Sequence, residues 1–145
     1  NSPISFEGFK VELNFLLQLS KKKYYNFLMM NLLLLLMVPI ITLITGYLMY
    51  RHTPKSINGL VGYRTSRSMI NQDTWNFANK YCASIWIKLG IITTFISFLI
   101  YILFDVNEIV SIVIVLIQTF LLLLSIIPVE KALKNTFDDD GNRRV

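Results

Sequence analysis

The sequence predicts an all-α integral membrane protein: three transmembrane helices with a long cytoplasmic connection between the first and second. Two observations carry this. The 145 residues are 54% hydrophobic and only 16% charged, whereas soluble domains run at about 45–50% and about 25%. Three charge-poor apolar stretches are also each long enough to cross a hydrocarbon core of roughly 30 Å. A chain this short forms one domain at most and has nothing left with which to cover three such helices in water.

The first stretch runs from about Phe27 to Tyr50, uncharged and interrupted only by Asn31, Pro39 and Gly46. Pro39 removes one backbone hydrogen bond and predicts a kink. The second runs from about Ser84 to Phe104, with Lys88 near its start. The third runs from about Ile109 to Val129, with Gln118 near its middle. Each must be helical, because hydrocarbon offers no partner to a free N–H or C=O. The four residues Asp105 to Glu108 make spans two and three an antiparallel hairpin.

Charge predicts the orientation. Lys10 and Lys21–Lys23 precede span one; Arg51, Lys55, Arg64, Arg67, Lys80 and Lys88 lie between spans one and two. The short second turn has no basic residue, and Lys131, Lys134, Arg143 and Arg144 follow span three. The basic excess places the connection 51–83 and the C-terminus in the cytoplasm, by the positive-inside rule. Tyr47, Tyr50, Tyr81 and Trp86 at one set of ends, and Tyr101 at the other, suit aromatic interface belts. The net charge of +5 therefore needs no nucleic acid partner.

Lys21–Lys23 alone would favour the opposite orientation, and could head a secretory signal. The apolar run behind them is too long for one and lacks a small-residue cleavage site. The sequence opens on Asn1, and its first methionines are Met29 and Met30. One expectation is a start at Met29 or Met30, with residues 1–28 upstream sequence. The other is an interfacial helix, because Phe6, Phe9, Leu13, Leu16 and Leu17 share a helical face.

The connection holds the densest local information. Gly59 and Gly62 predict a shaped turn. Ser68 or Asn71 is a candidate N-cap, and Asp73 suits the positive end of a helix dipole. A helix then runs through Trp75, Ala78, Asn79 and Cys82 into span two. On the residues alone, an ordinary solvated connector fits as well.

The ordered series Asn58-Gly59, Gly62-Tyr63-Arg64-Thr65, Ser68-Met69, Asn71, Thr74-Trp75 and Ala78-Asn79 resembles the signature of the SdpI family of small bacterial membrane proteins. The resemblance extends from about Met29 to Lys134. It implies an extension (1–28), a three-helix membrane domain (29–134) and a charged tail (135–145). It also implies an immunity protein of a Gram-positive bacterium, which shields the producing cell from its own SdpC-like peptide toxin without catalysis. Membrane lipid, a peptide toxin and a cytoplasmic regulator are the partners to expect.

Among intramembrane polar residues, Gln118, Thr119, Thr93, Thr94 and Ser97 either orient such a peptide or bond helix to helix. Tyr63, Arg64, Trp75 and Asn79 are expected to form a fixed polar cluster under the bundle, and Arg64 and Arg67 are alternative ligands for lipid phosphate. A signalling or partner-binding protein is the alternative role. A proton-coupled transporter needs an intramembrane carboxylate, and no span holds one. A holin-like pore leaves the ordered series unexplained. No Ser/His/Asp, Cys/His or HExxH set is present, so no enzyme is expected. His52 and Cys82 are isolated, and neither a metal nor a cofactor is expected. Asp138–Asp140 fail calcium-loop spacing, because Arg143 stands where glycine is required. They read as a disordered charged tail.

Overall fold

The computed structural model describes residues 6–144. Four helices follow in order: α1 (Phe6–Arg51), α2 (Gln72–Leu103), α3 (Glu108–Leu124) and α4 (Ile126–Thr136). With α3 and α4 taken as one run, three helical stretches are long and apolar enough to cross a membrane. This is the expected three-span architecture. The described residues contain no strand beyond an isolated bridge between Phe137 and Arg143.

The packing is that of a protein dissolved in lipid. Facing inward on α1 are Asn31, Leu35, Pro39, Thr42, Gly46 and Met49, three or four residues apart as one helical stripe requires. Within the bundle α2 adds Gly90, Thr93 and Ser97, and α3 adds Ser111 and Gln118. Large side chains such as Ile91, Phe95, Ile117 and Phe120 point outward. Lipid tails are as apolar as leucine, so apolar burial does not hold such helices together. Close approach of small residues and interhelical hydrogen bonds do. A Cβ on Gly90 would stand 2.9 Å from the Leu43 backbone, and one on Gly46 would stand 3.0 Å from the Ile87 nitrogen. Those two glycines let α1 and α2 touch.

Three features depart from the expected outline. First, α1 is a single helix of 46 residues, roughly 70 Å at 1.5 Å per residue, more than twice the hydrocarbon thickness. Phe6–Asn26 is exposed throughout and continues into the span without a break. The remainder of the expected 1–28 segment, residues 1–5, lies outside the described residues.

Second, the third helical run is interrupted at Ser125. Pro128 accounts for this: it has no N–H, and its ring crowds the carbonyl four residues back, that of Leu124. The 17 residues of α3 cover about 25 Å, so Ser125 falls near the edge of the hydrocarbon.

Third, the tail is folded rather than disordered. The N–H groups of Asp140 and Asn142 donate to Asp138 Oδ1 at 3.0 and 2.8 Å. Gly141 supplies the φ of 81° that the turn needs, and Arg144 N–H donates back to the Thr136 carbonyl at 2.9 Å. Phe137, 2% exposed, anchors the hook in the apolar cluster of Met49, Ala78, Cys82, Val129 and Leu133. Composition alone registers the charges and misses this return.

Candidate functional site

The connection between α1 and α2 folds into a cap on one end of the bundle. Its foundation is the α2 N-terminus. Asn71 is the N-cap: its Oδ1 accepts the Thr74 N–H at 3.0 Å, while Thr74 Oγ1 accepts the Asn71 N–H at 3.1 Å. This reciprocal box satisfies amides that a helix start otherwise leaves bare. One turn later Trp75, fully buried, donates its indole N–H to the Pro54 carbonyl at 2.9 Å. That bond ties the far end of the connection to the helix face. Asn79, one further turn along, accepts the Tyr63 N–H on Oδ1 at 2.8 Å and donates from Nδ2 to the Trp75 carbonyl at 2.9 Å.

Gly62 makes the approach possible. Its φ is 116°, a region L side chains avoid. A Cβ there would lie 2.5 Å from Asn79 Oδ1 and 3.1 Å from the Trp75 ring. Ser68, also fully buried, accepts the Thr65 N–H at 2.8 Å and donates to the Tyr63 carbonyl at 2.9 Å. Both sides of Tyr63 are thereby pinned, and its ring is aimed at α4. Its hydroxyl donates to Glu130 Oε1 at 2.8 Å. Burial, and then the Glu130 carboxylate, push this hydroxyl above its ordinary pKa, so it stays a donor.

Not every signature residue joins this cluster. Asn58 closes a local turn, its Oδ1 accepting the Leu60 and Val61 N–H groups at 3.0 and 2.9 Å. Gly59 faces open space. Met69 is 37% exposed, whereas Ala78 is buried against Cys82 and Met49. The expected four-residue cluster loses Arg64, which is exposed. Burying a guanidinium requires a carboxylate partner, and Arg64 has no ion pair among the described residues. Arg67 instead pairs with Asp139 at 3.2 Å. The tail braces the cap further: Arg143 grips Asp73 through two hydrogen bonds of 2.7 and 2.9 Å, and Asn71 Nδ2 donates to the Gly141 carbonyl at 2.8 Å.

A second polar system lies inside the bundle. Gln118 Nε2 donates to Ser97 Oγ at 2.7 Å and to the Leu35 carbonyl at 3.2 Å. Leu35 stands four residues before Pro39, so its carbonyl is the one that the proline leaves without an intrahelical donor. Gln118 Oε1 is buried without a partner. Nearer the α2–α3 turn, Asn31 Nδ2 donates to the Val106 carbonyl at 3.0 Å, and Ser111 Oγ donates to Asn31 Oδ1 at 3.3 Å. Gln118 and Ser97 therefore come together, whereas Thr93, Thr94 and Thr119 bond back to carbonyls of their own helices. In sequence Asn31 is no more than a polar interruption of span one. Its place on the α1 stripe of Leu35, Pro39 and Thr42 was the available signal. Cys82 is buried and His52 exposed; no set of three or more His, Cys, Asp or Glu among the described residues could hold a metal.

A multi-span helical membrane protein, closed over small and polar side chains and carrying a folded cap, is the class this geometry defines. The model of the SdpI/YfhL protein family matches residues 55–129, just over half of the sequence, and the chain belongs to that family. The match takes in most of the cap, α2, α3 and the start of α4, and begins after α1. The chain is also similar to the uncharacterized protein YfhL of Bacillus subtilis (strain 168), 50% identical over 50 residues. That alignment covers 34% of this chain and 46% of the relative, so the chain spans less than half of that protein's length. No solved structure matches.

Proposed function

We propose that this chain is a non-catalytic immunity protein of a bacterial cell membrane, which protects its host from a secreted, membrane-active peptide of the SdpC-like class. The observation that carries the reading is that the family-matched residues, together with α1 and Glu130, build one connected body. The cap bonds the connection to α2 and α4, and Gln118 bonds α3 to α1 and α2. Such a body can hold a fixed apolar face against a peptide lying in the bilayer. The excess of basic residues favours a cytoplasmic cap and tail. The acidic residues stand outside the apolar centres of the spans, which speaks against proton-coupled export. A signalling or partner-binding role is the second reading, favoured by Met69, an apolar signature residue left partly exposed on the cap.

The test is survival. The full chain is expressed in a sensitive Gram-positive strain, its membrane abundance is checked, and the cells meet an SdpC-type peptide and unrelated membrane-active peptides. Selective survival supports immunity. Equal killing with and without the protein rejects it for that toxin class and turns attention to the signalling reading. Slowed growth on expression alone would instead indicate a pore.

A further inference from the structure

Among the described residues Arg64 has no carboxylate partner, whereas Arg67 in the cap and Arg143 in the tail each have one. It lines a half-open pocket of about 200 Å³ together with Met49, Tyr63, Trp86, Ser125 and Ile126. The level of that pocket follows from helix lengths. Ser125 sits one residue past the 17-residue α3, about 25 Å from its start. Trp86 lies at a similar distance back along α2 from Leu103, and its indole N–H donates to Ser125 Oγ at 3.0 Å. Both therefore stand where hydrocarbon meets headgroups, the depth at which tryptophan collects. On the chain just before Gly62, Leu60 is 89% exposed and Val61 60% exposed. Two apolar side chains in water beside an unpaired guanidinium are costly. At a membrane surface the same trio is satisfied, with the apolar pair among acyl chains and the guanidinium on a phosphate.

We propose that this pocket is a headgroup site for an anionic phospholipid, with Arg64 on the phosphate, Met49, Trp86 and Ile126 against the glycerol and upper acyl chain, and Leu60 and Val61 dipping beside it. The guanidinium fork suits phosphate oxygens. Among the described residues no carboxylate lines the pocket, and Glu130, bonded to the lining residue Tyr63, already accepts its hydroxyl. The site belongs to the cap and does not depend on the immunity reading.

The experiment uses the purified full chain in nanodiscs of zwitterionic phosphatidylcholine doped with spin-labelled phosphatidylglycerol, and measures the motionally restricted lipid fraction. Wild type should prefer phosphatidylglycerol. Arg64→Gln should lower that preference about tenfold or more, the loss expected when hydrogen bonds to a charged group are removed. Lys55→Gln makes the same change in charge on the same connection, away from the pocket, and should retain most of the preference. Equal losses in the two variants would mean general surface attraction and overturn the proposal, as would an unchanged Arg64→Gln protein. Soluble glycerol phosphate distinguishes a lipid site from a free-phosphate site. Displacement at micromolar concentration would overturn the lipid assignment, and none at millimolar concentration supports it.

Discussion

Gly59 and Gly62 belong to the same short signature, yet the geometry assigns them opposite sensitivities. Gly62→Ala forces an L side chain to hold a φ of 116°, a strain of about 1–3 kcal/mol. Its Cβ would also meet Asn79 Oδ1 at 2.5 Å. Asn79 must then retreat and release the buried Tyr63 N–H it accepts at 2.8 Å, for a further ~1 kcal/mol or more. Together these destabilise the cap by about 3 kcal/mol, or roughly a hundredfold in the opening constant. Gly59→Ala meets nothing within 4 Å and needs no positive φ, so it should change stability by less than about 1 kcal/mol, in the stabilising direction. Cys82 is the assay. It is the single cysteine of the sequence and is 1% exposed in the apolar cluster beneath the cap. Its labelling by a thiol reagent in bilayers therefore reports cap opening. Gly62→Ala should label far faster than wild type, and Gly59→Ala no faster. Comparable rates in both variants would refute the argument that the signature glycines differ in role.

Three further outcomes follow from the same structure. Gln118→Leu removes donors to Ser97 and to the Leu35 carbonyl and should cost about 1 kcal/mol in reversible unfolding within bicelles. Adding Pro39→Ala restores an N–H for that carbonyl and should recover part of the loss, so strict additivity would count against the pairing. Asn71→Ala deletes the N-cap and its link to Gly141 and should cost about 1 kcal/mol, read as faster amide exchange in the first turn of α2. The N–H of Asn142 above all holds the Asp138 carboxyl below the ordinary carboxylate pKa. Because the folded value is the lower one, its contribution to the tail hook is present above about pH 4 and is lost as pH falls through the folded value. The amide shifts of Asp140 and Asn142 should therefore titrate below a free aspartate, and a midpoint at or above it would contradict the assignment.

Local pattern made the spans legible, because hydropathy over some twenty residues is sufficient information to place a helix in lipid. Asn71 was legible only as one of two cap candidates beside Ser68, and the box with Thr74 decides between them. What stayed hidden depends on partners far away in sequence. Nothing near Tyr63 announces Glu130, and nothing near Gln118 announces Leu35. The outward turn of Arg64 was hidden because an arginine's placement depends on whether a carboxylate reaches it. The tail hook was hidden because Phe137 finds its cluster only after α1, α2 and α4 have met. The interruption at Ser125 was within reach, since Pro128 stands four residues after Leu124.

The proline in α1 has a consequence for assembly. A helix in hydrocarbon normally offers its neighbours no backbone acceptor, since each carbonyl is already bonded to the next turn. Pro39 opens a single vacancy, at Leu35, and Gln118 fills it. If α3 slid along α1 by one turn, about 5.4 Å, the amide would face a saturated backbone and the vacancy would face lipid. The missing bond thus acts as a keyway. As the helices gather after insertion, it marks one axial position as correct, the same position that the Ser111–Asn31 bond marks nearer the α2–α3 turn.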